Sequence, residues 1–222
     1  MAEEMGHYVV ERSGSRRSSV ERREEILNVA FAVLAERGYR DASMREIAER
    51  ARASKETLYA WYGTKRGLFE ELVSWQAGRV DAALVSDLER DSDDPSIVLR
   101  VFAAELQRLL LDERSVIINR AAISEVTSDP TFAQILAARG RDTIIPKLVR
   151  YLEGQRERGR LQFADERAAA ETLIGLAIGD QQVRRLLGVI PMPEPERIEA
   201  RAGRAVDEFL TLFARHPKPA DK

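Results

Sequence analysis

Apolar residues recur along this chain at three- and four-residue intervals and almost nowhere at two. Ile26, Ala30, Val33 and Leu34 follow the i, i+4, i+7, i+8 spacing of one buried helical face. Gly38 is placed to close that helix, because glycine takes a left-handed C′ conformation without strain. Ser43 and Glu46 form an S-x-x-E capping box opening a short second helix with Ile47, Ala48 and Ala51 inward. Arg52 and Ala53 make a tight connection, and Ser54 caps a third helix. Gly63-Thr64 ends it and caps a fourth, whose Leu68, Phe69, Leu72 and Val80 predict a long helix to about Leu88.

Helical patterning continues to the end. Asp94-Pro95 starts a helix to about Leu111, with proline at the favoured first position, and another spans about 113–126. A helix after Asp129-Pro130 is interrupted near Gly140 and resumes to about Arg158, with Pro146 as a kink or first turn. Asp165 caps a helix to about Leu187, and the last runs from about Pro195 to Ala214. The expectation is an all-α protein of about nine helices. Residues 1–19, rich in Ser, Gly and Arg and without periodicity, read as a flexible basic arm. Residues 20–66 form a first domain, 67–216 a larger helical one, and 217–222 a tail.

Composition narrows the function. With 44% apolar and 32% charged residues in 222, the chain can bury a real core. No stretch approaches the roughly 18 apolar residues of a membrane span. The start, MAEEMGHYVVERSGSRRSS, lacks the pattern of a secretion signal, so a cytoplasmic location without membrane contact is expected. The absence of cysteine removes disulfides, thiolate metal sites and thiol nucleophiles. His7 and His216 lie at opposite ends, Asp41, Asp93 and Asp94 fit turn and cap roles, and no catalytic triad, metal-ligand cluster or phosphate loop is visible. Neither enzyme, cofactor nor metal is expected. The net charge of −2 conceals a split: residues 11–66 carry 13 Lys/Arg against 9 Asp/Glu, and residues 67–222 carry 22 against 26. A basic module on an acidic body suggests one part that meets a polyanion.

The second and third helices are separated only by Arg52, Ala53 and Ser54, which is helix-turn-helix spacing; the later helix would enter the DNA major groove. That helix lies in SKETLYAWYGTK, which holds three of the chain's 14 aromatic residues. Leu58 and Tyr62, four apart, should pack inward, while Lys55, Glu56, Tyr59 and Ala60 share the opposite face. An exposed Tyr59 beside Lys55 and Thr57 suits a groove or phosphate contact. Trp61 falls on the boundary, where it either packs or meets the DNA backbone. Arg16 and Arg17 are either a solvated tail or a minor-groove arm.

Over Ile26 to Val73, ILNVAFAVLAERGYRDASMREIAERARASKETLYAWYGTKRGLFEELV, the sequence resembles the TetR family of bacterial transcriptional repressors. The shared pattern is a helix ending in GY, a Ser/Thr-capped "IA..A" helix, SK.TLY, an aromatic pair, a G-S/T-K turn and LF. More weakly, LVRYLEGQRERGRLQFAD…AAAETLIGL looks like the ligand-binding domain of one large subgroup. The resemblance implies that Ser43 caps the second helix and touches a phosphate. It implies that Ser54, Lys55, Thr57 and Tyr59 face DNA, that Trp61 stands where Tyr or His meets the backbone, and that Lys65 binds phosphate. Three positions depart from the pattern. Arg52 replaces the usual turn glycine but adds a cation near DNA, Ala53 replaces a common valine, and Glu56 could accept from cytosine N4 or repel phosphate.

The resemblance further implies a homodimer on palindromic double-stranded DNA and a small-molecule effector of unknown identity, bound among the fourth to seventh helices. Candidate lining residues are Trp75, Phe102, Leu106, Asn119, Ile123 and Phe132. Apolar stripes in the last two long helices, Leu173, Leu176 and Ala177, then Ile198, Ala205, Phe209 and Leu212, are candidates for the dimer interface, with Gly175 and Gly179 permitting close approach. The competing expectation is a regulator whose C-terminal domain answers to a protein partner.

Overall fold

A computed structural model describes residues 19–88 and 94–214, with the backbone path only for 77–88. The predicted arm through residue 18, with His7, Arg16 and Arg17, lies outside the described residues, as do Asp93, His216 and the tail. Eleven helices are present among the described residues: α1 (Ser19–Asp41), α2 (Met44–Arg50), α3 (Lys55–Tyr62), α4 (Lys65–Leu88), α5 (Pro95–Leu111), α6 (Glu113–Glu125), α7 (Thr131–Arg139), α8 (Arg141–Glu157), α9 (Glu166–Ile178), α10 (Gln181–Leu186) and α11 (Pro195–Phe213). The fold is all-α, as the periodicity predicts. A single antiparallel bridge, Leu161 to Ala214, ties the connection after α8 to the end of α11.

The count exceeds nine because two predicted helices are divided. The break at Gly140 falls where the sequence places an interruption. The second break, at Gly179 (φ 52°, ψ −132°), splits the helix expected to reach Leu187. Its cause is long-range. Arg201 Nε donates to the Ala177 carbonyl at 2.8 Å, taking the acceptor that the amide of residue 181 would use in a continuous helix. A Cβ on Gly179 would stand 2.4 Å from the same guanidinium. Gly38 ends the first helical run at a kink, as expected, but with φ 71° and ψ 173° it is not a left-handed helical cap, and a further short turn carries α1 to Asp41.

Local caps form largely as predicted. Ser43 Oγ accepts from the Glu46 amide at 3.1 Å. The Glu46 carboxylate turns to Arg50 at 2.7 Å and Arg37 at 3.5 Å. Asp94, Asp112 and Asp165 cap α5, α6 and α9 through their side chains.

Two hydrophobic cores organise the chain. The first gathers Ile26, Leu27, Phe31 and Leu34 of α1 with Ile47, Leu58, Tyr62, Leu68, Phe69, Leu72 and Val73. It also takes in Ile118, Ala121 and Ala122 from α6 and Phe132 from α7. The expected boundary at Arg66 therefore falls inside a continuous packed unit. The second core joins α5, α8, α9 and α11. No described helix is long and apolar enough to cross a membrane.

Candidate DNA interface and effector cavity

The connection between α2 and α3 is a Schellman turn. The Ala53 amide donates to Ala48 O at 2.9 Å and the Arg52 amide to Glu49 O at 3.2 Å. Arg52 is the C′ residue, and among described non-glycine residues it alone has positive φ, 50°. It thus adopts the conformation glycine usually supplies, at a cost of about 1 kcal/mol or more. Arg22, on α1, offsets part of that cost: one guanidinium nitrogen donates to Ala51 O at 2.8 Å and to Arg52 O at 2.9 Å. Sequence reasoning missed Arg22, because nothing in the α1 pattern distinguishes it from a solvated arginine.

The faces of α3 are as its spacing predicts. Leu58 is fully buried and Tyr62 nearly so, while Tyr59 is 51% exposed. Burial pushes the Tyr62 phenol up to about 12. Ser54 Oγ accepts from the Thr57 amide and lies 3.0 Å from Thr57 Oγ1, so the threonine hydroxyl is already engaged with the cap. Glu56 is held below the usual carboxylate range by its own backbone N–H and the Ser54 hydroxyl, so its carboxylate folds back onto the start of α3. Trp61 is half-buried against the first core, with the Arg23 guanidinium 5.4 Å from its ring. Lys65 donates from Nζ to Arg40 O at 3.0 Å and lies 4.4 Å from the Tyr39 ring centre. Burial lowers its pKa. The lysine to which the family resemblance gives a phosphate is docked on the end of α1. Ser43, Arg52, Ser54, Lys55 and Tyr59 are all exposed around this turn.

A cavity of about 560 Å³ lies in the body of the protein, walled by α5 through α10: the expected fifth to seventh helices contribute, joined by α9 and α10, while no described side chain of α4 lines it. Leu106, Asn119 and Ile123 line it as predicted. Trp75, Phe102 and Phe132 do not. Trp75 stacks on Phe31 at 5.8 Å under the Arg114 guanidinium, Phe132 packs in the first core, and Phe102 is fully buried in the second. Large aromatics on amphipathic helices were drawn into the cores because cores gain most from their area. The residues missed, among them Leu110, Val126, Leu136, Arg141, Ile174 and Ile178, have ordinary helical spacing and carry no signal that separates a cavity wall from a core. A smaller recess of about 70 Å³ reaches from Asn119 and Leu136 to Val73 and Gln76 on α4.

Of the residues expected at a dimer interface, Leu173, Ala177, Ile198, Ala205 and Phe209 are buried within the chain, in the second core. Their stripes are real, but α5 and α8 cover them. Leu176 is half-buried, and Leu212 is exposed. The outward apolar residues nearby are Val183 and Leu187, 57% and 75% exposed, followed by Val189. Arg185 anchors this segment, donating to Leu111 O at 3.0 Å and to Glu113 at 2.8 Å.

A capped helix-turn-helix on an all-helical body containing an apolar cavity is the build of a DNA-binding regulator. Residues 26–72 match the profile of the bacterial regulatory proteins of the tetR family, and residues 97–215 match the C-terminal domain of AefR-like transcriptional repressors. The chain belongs to the TetR family and is a DNA-binding transcriptional regulator. It is 28% identical over 188 residues to the uncharacterized HTH-type transcriptional regulator YvkB of Bacillus subtilis, covering 78% of this chain and 89% of that one. A TetR transcriptional regulator from Agrobacterium tumefaciens of known structure is 31% identical, with a TM-score of 0.69 over 87% of this chain and 95% of that one. The flavonoid-responsive regulator FrrA is 26% identical, with a TM-score of 0.72 over 90% of this chain and all of that one.

Proposed function

We propose that this regulator is a cytoplasmic homodimeric repressor that leaves a palindromic operator when a small molecule enters the cavity between α5 and α10. The observation that carries this reading is the double position of α6. Ala122 belongs to the first core, with Ile118 and Ala121, and also to the cavity wall, with Ile123 and Val126. A ligand pressing on that wall acts on a helix that is part of the DNA-binding unit's own core. The volume lies within the roughly 300–1,000 Å³ of ordinary ligand pockets, and FrrA, a relative, is itself described as flavonoid-responsive. The role of Ser43, Arg52, Ser54, Lys55, Thr57, Tyr59, Trp61 and Lys65 in this reading is to hold and read DNA.

The exposed apolar residues Val183, Leu187 and Val189 would also suit a protein partner. They lie on α10 and the segment after it, between α9 and α11 along the chain, and we assign them to a second copy of this chain and leave the signal to the cavity. A thermal-shift screen, followed by gel shifts on the DNA flanking the gene, tests the reading. A compound that raises the melting temperature should lower operator affinity, and Ala133→Trp, which fills the cavity, should abolish both effects. A cavity ligand without influence on DNA binding would overturn it.

A further inference from the structure

The composition of the cavity wall restricts what can occupy it. The wall is built from Leu, Ile, Val and Ala with two glycines, and no aromatic residue is among its lining. A planar aromatic ligand would find no ring for offset or edge-on stacking, the geometry that recognises such molecules. Branched aliphatic side chains from α5 through α9 instead suit a flexible hydrocarbon.

Charge narrows the class further. Among the described residues the one ionised lining residue is Arg141, and the other polar groups of the wall, Asn119 and Gln182, are neutral amides. Asn119 already donates its amide nitrogen to Ser115 O at 2.8 Å. A cationic ligand would meet neither a lining carboxylate nor an aromatic face and would face a guanidinium of its own sign. An anionic one would meet a fork suited to carboxylate. Arg141 can be recruited without orphaning its present partner. It donates to Glu171 at 2.9 Å, and Arg167 stands 3.4 Å from the same carboxylate oxygen, ready to keep it paired. At ~30 Å³ per non-hydrogen group, the share of a liquid water, the cavity holds roughly 15–20 such groups.

We infer that the effector is an unbranched aliphatic carboxylic acid of on the order of 12–16 carbons, its chain among Leu106, Ile123, Ile144 and Ile178 and its carboxylate on Arg141. This rests on the reading of the cavity as the effector site. Calorimetric titration of the full chain with dodecanoate, methyl dodecanoate, dodecylammonium and the flavonoid naringenin, below micellar concentrations, tests it. Dodecanoate should bind once per chain with a negative heat-capacity change. Arg141→Gln should weaken it by roughly tenfold or more, leave methyl dodecanoate unchanged, and preserve the melting temperature, since the side chain is surface-exposed. Ala137→Phe should shift preference from dodecanoate to octanoate. Tighter binding of dodecylammonium or naringenin, multiple sites per chain, or indifference to Arg141→Gln would overturn the assignment. If naringenin fills the cavity and releases DNA, the effector mechanism stands and the aliphatic class falls. If dodecanoate binds as described yet leaves the operator complex intact, the reverse holds.

Discussion

Tyr39 meets Phe132 edge-on, with ring centroids 4.3 Å apart, and so fastens the end of α1 to the start of α7. Phe69 completes the cluster at 5.4 Å and 4.4 Å from the two rings. Ion pairs flank it: Arg40 with Glu125 at 3.7 Å, and Arg66 with Asp129. The corner between α6 and α7 thus grips the DNA-binding unit directly, beside the connection through α4. Phe132→Ala should cost about 3–5 kcal/mol of folding free energy, as deletion of a fully buried ring does. The milder Phe132→Leu should remain folded, keep operator affinity and respond less to ligand. Denaturant melts and gel shifts with and without ligand measure both effects, and an undiminished ligand response would leave α4 as the working link.

Arg52→Gly should move stability and DNA binding in opposite directions. Relief of the positive φ should stabilise the fold by about 1 kcal/mol, while loss of an exposed cation at the turn should weaken operator binding and flatten its salt dependence. Paired melting and salt-titration curves on one variant check this. A fall in melting temperature would mean that Arg52 earns its conformation through contacts of its own.

This position shows how far the sequence is legible. The S-x-x-E and SK.TLY spacings revealed the short helices, because caps and periodicity are local. They could not reveal that Arg22, far away on α1, holds the turn carbonyls, nor that Arg201 breaks the helix at Gly179. The buried stripe of α11 was equally clear, yet whether α5 or a second subunit covers Ile198 and Phe209 is a tertiary fact. The cavity was least legible. Trp75, Phe102 and Phe132 are large, and large side chains are what the cores claim.

Lys65→Ala should weaken binding to all DNA sequences and reduce the salt slope by about one unit, as loss of a single phosphate contact does. Tyr59→Ala should instead cost on the order of 1–3 kcal/mol at the operator alone. An unchanged slope for Lys65→Ala would assign the lysine to its present partner, the Arg40 carbonyl, as a purely structural clasp.

Alkaline pH should destabilise the fold in a defined window. Burial raises the phenols of Tyr39, Tyr62 and Tyr151 from 10.0 to about 12. The unfolded chain therefore releases these protons first, so their contribution is intact below 10 and lost as pH climbs through 12. The lowered Lys65 acts oppositely, adding stability as pH rises toward 10.5, but it is one group against three. Melts between pH 9 and 12 should decline, and the share of tyrosinate absorbance at 295 nm that belongs to Tyr39, Tyr62 and Tyr151 should appear together with unfolding. A rise in stability across that interval would contradict the burial of the three hydroxyls.

Leu187→Glu and Val183→Glu should yield monomers by light scattering at micromolar concentration with little change in melting of the subunit, since both side chains face outward. Two-fold symmetry in the protein requires an inverted repeat, with half-sites roughly 34–36 Å apart. Operator affinity should fall with the loss of the dimer. A variant that remains dimeric would place the interface on another face of α9 and α11.

The first core borrows Ile118, Ala121, Ala122 and Phe132 from helices made long after the helix-turn-helix. A ribosome that has released α4 has synthesised Ser43 through Lys65 in full, yet not the side chains that close the space between α1 and α4. The nascent head should therefore stay protease-sensitive until α7 has emerged, and only then acquire a closed core.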